Sequence, residues 1–298
     1  MPLHTDESKA MGQRTWKLLE ILDQTSRFFE SRGFRNPRLQ AELLLAAVLG
    51  VGRLELYLQF ERLLETDEVD TYREYVRQRL EHVPVQYIVG AAAFRHLELS
   101  VTPDVLIPRP ETEVLVDVVL EYLPGGGRVL DLCCGSGAIA LALAQEADGT
   151  QVVGVDISEA ALDVARTNGE RCGLEELVEW RCGDLFAPLD GVEPFDIIVS
   201  NPPYVRCGDW QDLEPEVRDH EPRLALDGGE DGLDYYRRIV DEGPAFIRSG
   251  GYLLLEIGAG QDPAIESLID QAGCFAEVEI RSDLNDIPRI VVARIPAG

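Results

Sequence analysis

The sequence predicts an α/β protein with an open sheet flanked by helices, preceded by a small all-helical region. Apolar residues at helical spacing dominate the first part of the chain, whereas short apolar runs alternate with helical segments in the rest. Several of these runs end directly at an acid, a glycine turn or a proline. Open α/β sheets bind ligands at the carboxyl ends of their strands, so the polar residues there are candidate site residues.

The helical region is predicted to cover residues 1–86. Its three clearest helices are expected near residues 16–29, 37–50 and 67–80. The second helix has Asn36 as a predicted N-cap, Pro37 at its first position and Gly50 at its end. The apolar stripes of these helices predict the core of a small bundle.

A short β connector is predicted over residues 87–107, where apolar and polar residues alternate. The α/β domain is predicted to fill residues 108–298. Its seven strands are expected near residues 128–132, 151–156, 178–182, 195–200, 252–257, 275–281 and 289–294.

The composition suits a protein with two hydrophobic cores, since 45% of its 298 residues are hydrophobic. No apolar run approaches the roughly 18 residues that span a bilayer. Residues 1–8 have neither the basic residues nor the apolar core of a signal peptide, and we expect a disordered lead-in there. The sequence therefore predicts a cytoplasmic protein without a membrane partner.

The charge of the chain argues against a nucleic-acid partner. Asp and Glu number 54 against 27 Lys and Arg, which gives a formal net charge of −27. A surface this acidic repels phosphate backbones, so we expect no direct contact with nucleic acid. The acidic, lysine-poor balance also suggests a salt-adapted or high-GC host. Thermal melting in low and molar KCl tests salt adaptation, and indifference to salt would count against it.

The six cysteines contain no Cys-x-x-Cys pair, and only four histidines occur in the chain. We therefore predict no metal site. Adjacent Cys133 and Cys134 are expected to be reduced thiols.

The first candidate site is a glycine turn between a strand and an alanine-rich helix. The apolar run over residues 128–132 leads into Cys133-Cys134-Gly135-Ser136-Gly137. Glycines let the backbone approach a ligand closely, and the following helix start supplies free N–H groups. The four-glycine phosphate fingerprint is incomplete, so we favour a nucleoside ligand without a pyrophosphate. An ordinary βαβ crossover with a tight turn is the alternative.

Two acids follow the next two strands. Asp156 ends the strand over residues 151–156. An acid at this position typically accepts hydrogen bonds from the two hydroxyls of a ribose. Asp184 follows the strand over residues 178–182. Its carboxylate can accept a hydrogen bond from an exocyclic amine such as adenine N6, with Leu185 beside the base. Asp184 is equally well explained as a cap of the next turn.

The third candidate site is Asn201-Pro202-Pro203-Tyr204, which directly follows the apolar run over residues 195–200. Neither proline offers an N–H, and Pro203 biases Pro202 towards an extended conformation. The Asn201 side-chain oxygen and the Pro202 carbonyl can each accept one N–H of a flat –NH2 group, while Tyr204 packs on its π-face. A strand-ending turn is the alternative, because Asn and Pro favour turns.

With these motifs the chain resembles the class I S-adenosylmethionine-dependent methyltransferases, and within them the release factor glutamine methyltransferases of the HemK/PrmC family. The resemblance runs nearly end to end. Its motifs lie at residues 36–45, 84–90, 106–113, 133–137, 199–204 and 251–258. The Ile-Pro-Arg-Pro-Glu-Thr-Glu sequence within residues 106–113 is much more family-specific than the glycine turn or Asn-Pro-Pro-Tyr.

The resemblance implies a Rossmann-like, seven-stranded methyltransferase sheet and a helical domain that docks the protein substrate. It implies N5-methylation of the glutamine amide in the Gly-Gly-Gln motif of peptide chain release factors, with S-adenosyl-L-methionine as methyl donor. The expected cofactor-binding residues are Cys133, Cys134, Gly135, Ser136, Gly137, Asp156, Asp184, Leu185 and Asn201. The expected substrate-binding residues are Asn201, Pro202, Pro203 and Tyr204, of which Asn201, Pro202 and Tyr204 are assigned to catalysis. We predict a monomer.

Two positions depart from the family pattern. Cys133 stands where the turn usually has its first glycine, so we expect ordinary backbone torsions there. Leu185 stands where some relatives carry an aromatic residue beside the adenine, which would loosen cofactor stacking. Neither change removes a chemically required group.

Three carboxylates, Glu111, Glu113 and Glu256, are expected near the site, but none is assigned as a base. Each is explained by the charge preference of a helix N-terminus or by a solvated strand end. The proton of the substrate amide can leave after methyl transfer, so no strong base is required. The long segment over residues 205–232 is expected to form part of the substrate cleft.

Three alternatives remain open at this point. A DNA adenine N6-methyltransferase would use Asn-Pro-Pro-Tyr in the same way on an exocyclic amine, but it would need a basic target-recognition region. A glutamine methyltransferase that acts on a ribosomal protein is chemically identical. A non-enzymatic cofactor-binding scaffold would have no need of Asn-Pro-Pro-Tyr.

Overall fold

The structure is a computed structural model, and it describes residues 15–283 and 285–298. The predicted lead-in over residues 1–8 lies outside these residues. The chain divides into two compact units, Met1–Val89 and Gly90–Gly298. The predicted boundary after residue 86 falls inside the last helix of the first unit.

The first unit is a helical bundle, as the apolar stripes predict. Its helices are α1 (Leu18–Ser31), α2 (Pro37–Leu49), α3 (Arg53–Leu58), α4 (Thr66–Leu80) and α5 (Val85–Val89). Phe29, Leu44 and Tyr72 are almost fully buried at its centre. Gly50 ends α2 in the left-handed conformation that glycine adopts without a steric penalty. Asn36 precedes α2, but its side chain makes no capping hydrogen bond.

The second unit begins with an antiparallel hairpin of β1 (Ala91–Phe94) and β2 (Leu97–Ser100). This hairpin occupies much of the predicted β connector. It does not stand apart from the α/β domain, because Phe94, Leu97 and Leu99 are buried in one of that domain's cores.

A seven-stranded sheet forms the rest of the second unit. Its strands are β3 (Arg128–Leu132), β4 (Gln151–Asp156), β5 (Val178–Cys182), β6 (Phe195–Ser200), β7 (Ile247–Glu256), β8 (Glu277–Ser282) and β9 (Pro288–Arg294). They lie at or near the predicted positions, except that β7 begins at Ile247, five residues before its predicted start. The strand order is β5-β4-β3-β6-β7-β9-β8. Strands β3 to β7 pair in parallel, and β9 runs antiparallel to both of its neighbours. The predicted fold class is confirmed.

Helices cover both faces of this sheet. They are α6 (Pro110–Glu121), α7 (Ala138–Glu146), α8 (Glu159–Cys172), α9 (Pro215–His220), α10 (Asp234–Glu242) and α11 (Asp262–Ala272). Successive strand side chains point to opposite faces, so Val129 packs in one core and Leu130 in the other.

The topology determines where a ligand can bind. From β3 the chain moves outward through β4 to β5, and then returns to place β6 on the other side of β3. At such a reversal the loops that follow the two central strands leave the sheet in opposite directions and open a crevice. Leu132 and Ser200 are paired at this edge, so the glycine turn and Asn-Pro-Pro-Tyr start side by side.

Candidate active site

A cavity of about 190 Å³ opens at this edge of the sheet, with more than ten times the volume that one water needs. The predicted site residues that line it are Cys133, Gly135, Asp156, Asp184, Leu185, Asn201 and Pro203. Five others are not part of its lining: Cys134, Ser136, Gly137, Pro202 and Tyr204. The structure therefore brings together residues from the loops after β3, β4, β5 and β6.

The expectation of ordinary torsions at Cys133 is wrong. Its φ is 60°, and the next two glycines of the turn, Gly135 and Gly137, have φ of 53° and 80°. The chain must reverse from β3 into α7 within a few residues, and this tight turn places Cys133 in the left-handed region. Cys133 therefore has a backbone conformation that glycine would adopt with less strain.

The absence of a side chain at Gly137 leaves room for Trp180. It caps α7, and a Cβ built on it would lie 2.6 Å from Cη2 of Trp180. Its neighbours in the turn also face the protein, since Cys134 is buried and the Ser136 carbonyl accepts from Nδ2 of Asn168 at 3.0 Å. This half of the turn fixes α7 against the sheet.

Asp156 ties the end of β4 to the glycine turn. Its Oδ2 accepts from the Gly135 N–H and its Oδ1 from the Ser158 N–H, both at 2.9 Å. Burial raises the pKa of Asp156, and these backbone N–H groups oppose the rise. Each carboxylate oxygen can accept more than one hydrogen bond, so capacity remains on the cavity side.

Asp184 accepts from Nη1 of Arg238 at 2.9 Å, a contact with α10 that the sequence did not suggest. The next residue, Leu185, has φ of 50° and a buried side chain that lines the cavity. Arg238 of α10 therefore holds Asp184 in place, while Asp184 and Leu185 form part of the cavity wall.

Asn201 lines the cavity with its amide in a defined orientation. Its Nδ2 donates to Oγ1 of Thr112 at 3.2 Å. Thr112 lies in the first turn of α6, within the family-specific segment over residues 106–113. Since the NH2 end of the amide is engaged by α6, Oδ1 is the end that can serve a ligand. No hydrogen bond among the described residues ends on the Pro202 carbonyl.

Tyr204 lies against the protein. Its ring packs on the second core, next to Gly258, and its carbonyl is 3.3 Å from Nε2 of Gln261. Burial raises the pKa of Tyr204 to about 12. Stacking of this ring on a substrate amide stays a prediction.

Glu256 is not the solvated strand end that the sequence suggested. It ends β7 and is only 3% exposed. Burial raises its pKa to about 7, against the opposing effects of the Thr112 hydroxyl and the Arg289 charge. The pairing of Ser200 with Leu255 places Glu256 beside Asn201, since each is the next residue of its chain segment.

Two family models match the chain: the PrmC N-terminal domain over residues 20–90 and the methyltransferase small domain over residues 110–213. The release factor glutamine methyltransferase of Geobacter sulfurreducens is 44% identical over 94% of this chain and 97% of its own length. The chain belongs to the release factor glutamine methyltransferases. The member of this family from Chlorobaculum tepidum is 40% identical over 93% of this chain and 97% of its own length.

A methyltransferase from Pyrococcus furiosus shares the fold, with a TM-score of 0.52 and 18% identity over 74% of this chain and 98% of its own. Membership of a methyltransferase family implies S-adenosylmethionine as methyl donor. Among the described residues no helix is long and apolar enough to cross a membrane. No group of three or more His, Cys, Asp or Glu side chains in the same residues is arranged to hold a metal ion.

The electrostatics of the turn suit a release factor glutamine methyltransferase, whose methyl donor is positively charged. Asp131 is fully buried, and its Oδ1 has no hydrogen-bond partner among the described residues. Burial raises the pKa of Asp131 well above its usual value. Burial is the largest cause that raises the pKa of the Cys133 thiol, and the charges of Asp156, Asp131 and Asp184 raise it further. Of these acids, Asp156 and Asp184 line the cavity and can attract a positively charged ligand, whereas Asp131 is not part of its lining.

The segment over residues 205–232 contributes a further wall, through Pro222, Leu224 and Ala225. It is held by Glu221, whose buried carboxylate accepts from Nη2 of Arg109 at 2.5 Å. Arg109 belongs to the same family-specific segment as Thr112. A substrate cleft in this region stays a prediction.

Proposed function

We propose that this protein transfers a methyl group from S-adenosylmethionine to the side-chain amide nitrogen of the glutamine in the Gly-Gly-Gln motif of peptide chain release factors. The curated relatives named for that activity support the choice of substrate. The observation that carries the proposal is the orientation of Asn201. Its NH2 end is held by Thr112, so its oxygen can accept a hydrogen bond at the cavity.

The cofactor-binding residues proposed are those that line the cavity on the side of β3, β4 and β5. Asp156 would accept from the ribose hydroxyls, and Asp184 from the exocyclic amine of adenine, with Leu185 beside the ring. When bound, S-adenosylmethionine supplies an electrophilic methyl group on a positively charged sulfur. Cys134, Ser136 and Gly137 act indirectly in this proposal, because they shape the turn from behind.

Asn201 and Pro202 can increase the low reactivity of the substrate amide nitrogen. A carboxamide nitrogen is a poor nucleophile because its lone pair is delocalised into the carbonyl. Asn201 Oδ1 and the Pro202 carbonyl would accept its two N–H bonds, which holds the nitrogen in place and increases its electron density. Positioning and preorganised electrostatics of this kind supply most of the acceleration, and the proton leaves after transfer.

The first test measures label transfer from S-adenosylmethionine to purified release factor. Wild-type release factor should be labelled, and a release factor that carries Gly-Gly-Ala should not. A purified ribosomal protein mixture serves as the competing substrate. Equal labelling of the Gly-Gly-Ala protein, or faster labelling of a ribosomal protein, would contradict the proposed substrate.

We also propose that the protein is a monomer whose helical unit docks the release factor. Remote binding energy from a protein substrate is then used to orient the reacting glutamine. A short Gly-Gly-Gln peptide should therefore have a much lower kcat/KM than the folded release factor. Similar values for the two substrates would argue against docking, and sedimentation at assay concentration checks the monomer.

A further inference from the structure

We propose that Glu256 is a positioning residue for this reaction, and that it acts by holding the Asn201 amide in the orientation that the substrate requires. The inference rests on the proposed function, because it gives Asn201 Oδ1 the task of accepting from the substrate amide. It adds a residue that the sequence pattern explained as a solvated strand end.

The sheet itself places these residues together. Strands β6 and β7 are parallel neighbours, and Ser200 pairs with Leu255 at their carboxyl ends. Asn201 and Glu256 therefore leave the sheet side by side. Thr112 joins them from α6, 3.2 Å from the Asn201 Nδ2, and both Thr112 and Glu256 are at least 95% buried.

The hydrogens in this cluster can be distributed in a single consistent way. The Thr112 hydroxyl accepts from Asn201 Nδ2, which leaves its one hydrogen to be donated elsewhere. The pairing of Ser200 with Leu255 makes the Glu256 carboxyl the neighbouring acceptor, and Thr112 and Asn201 both lower its pKa. We assign the hydrogen of Thr112 to this carboxyl.

This distribution determines which end of Asn201 faces the cavity. The two ends of an asparagine amide are nearly equal in size, so their hydrogen-bond partners select the orientation. Without the carboxyl, Thr112 could donate its hydrogen to Asn201 Oδ1 and turn the amide around. The NH2 end would then face the cavity and repel the N–H groups of the substrate.

The burial of Glu256 is otherwise hard to explain. Its Oε2 has no hydrogen-bond partner among the described residues, and burial without a partner is unfavourable for a carboxyl group. The charges that act on it are Arg289 on β9, which favours the ionised form, and Glu111 on α6, which opposes it. Tyr204 and Tyr236 also face it, since its charge raises the pKa of both phenols.

Two matched pairs of variants test the inference. Glu256→Gln keeps an oxygen acceptor, and Thr112→Ser keeps the hydroxyl. Glu256→Met and Thr112→Val keep the approximate size of the side chain but remove its polar group. We expect the two apolar variants to lower the single-turnover rate of release-factor methylation by about 10-fold or more, as misplacement of one catalytic contact does. The two polar variants should retain a much larger share of the rate. Calorimetry should give all four an affinity for S-adenosylmethionine within about twofold of wild type.

A second readout is independent of turnover. In NMR spectra the side-chain NH2 signals of Asn201 should be protected from exchange in wild type and in Glu256→Gln, and lose protection in Glu256→Met. Equal rates for the Met and Gln variants, or a rate loss that follows only a loss of thermal stability, would overturn the role of Glu256. An inactive wild-type enzyme would instead refute the proposed function and this inference with it. An active wild type with a fully active Met variant refutes the inference alone.

Discussion

The cavity wall has two halves that are built in different ways. The cofactor half, named for its proposed role, comprises the loops after β3, β4 and β5, with Asp156 and Asp184. Its parts follow one another closely along the chain. The amide half comprises Asn201, which directly follows β6, with Thr112 on α6 and Glu256 on β7. Thr112 and Glu256 are 89 and 55 positions from Asn201 in the chain. Affinity for the cofactor and orientation of the substrate are thus assigned to separate residues.

This difference predicts separable defects. A change in the cofactor half should weaken binding of the methyl donor, whereas a change in the amide half should slow methyl transfer with the donor still bound. The cavity is shared, so a clean separation would be informative and a mixed result would locate a coupling between the halves.

The largest effect is expected for Asn201→Ala. Loss of one preorganised hydrogen-bond acceptor should lower the rate of release-factor methylation by a factor on the order of 10² or more. Affinity for S-adenosylmethionine, measured by calorimetry, should stay nearly unchanged. Asn285→Ala removes an exposed amide from the β8–β9 turn and is the control. A collapse of cofactor affinity with an intact chemical step would show that Asn201 belongs to the cofactor half.

Asp156→Ala should do the opposite. A charge-assisted contact to the ribose contributes roughly 1.5–3 kcal/mol, so S-adenosylmethionine and S-adenosylhomocysteine should both bind about 10- to 100-fold more weakly. Asp196 is the matched control, because its carboxylate also accepts a backbone N–H, that of Arg128, at the other end of β6. Unchanged affinity in Asp156→Ala, or an equal loss in Asp196→Ala, would move the ribose contact elsewhere.

Gly137→Ala should lower stability. Both Gly137 and Gly173 have positive φ, of 80° and 69°, but only at Gly137 would the new Cβ meet Trp180. Gly173→Ala therefore measures the backbone strain alone, which costs on the order of 1 kcal/mol or more. Gly137→Ala should melt at a lower temperature than Gly173→Ala. Equal melting temperatures would mean that the packing of Trp180 adjusts without cost.

The smallest effect concerns the pH dependence of stability. The pKa of Glu256 is about 7 in the folded protein and near 4.5 when unfolded, so the folded state binds more protons between these values. Stability due to this group is therefore full below about pH 4.5 and falls as pH rises towards 7. Glu256→Gln does not titrate and should gain stability relative to wild type between pH 5 and pH 8. A difference that is constant with pH would show that Glu256 ionises normally.

Much of the cofactor half could be predicted because its signals are local. Each acid and the glycine turn directly follow an apolar run, so a strand prediction also places the side chain at the sheet edge. The same reasoning found Asn201. It could not place Glu256 beside Asn201, because only the order of strands in the sheet brings β7 beside β6. It could not pair Thr112 with Asn201, because only the folded domain brings α6 to the end of β6. The Arg109–Glu221 and Arg238–Asp184 pairs are hidden because they join residues 112 and 54 positions apart in the chain.

Backbone conformation was the other limit. The cysteine at position 133 gave a reason to expect ordinary torsions, yet the turn holds it at φ of 60°. The geometry of the reversal from β3 into α7 prevails over the preference of the side chain. For Gly137 the structure adds a packing reason that the sequence does not show, because only the folded sheet brings Trp180 of β5 near it.

The most direct test of the central claim is the position of the transferred methyl group. Release factor methylated by the wild-type protein can be digested and sequenced by tandem mass spectrometry. We predict one added methyl group, on the side-chain amide nitrogen of the glutamine in Gly-Gly-Gln. A methyl group on a different residue, or an unmodified glutamine after complete turnover of the donor, would contradict it.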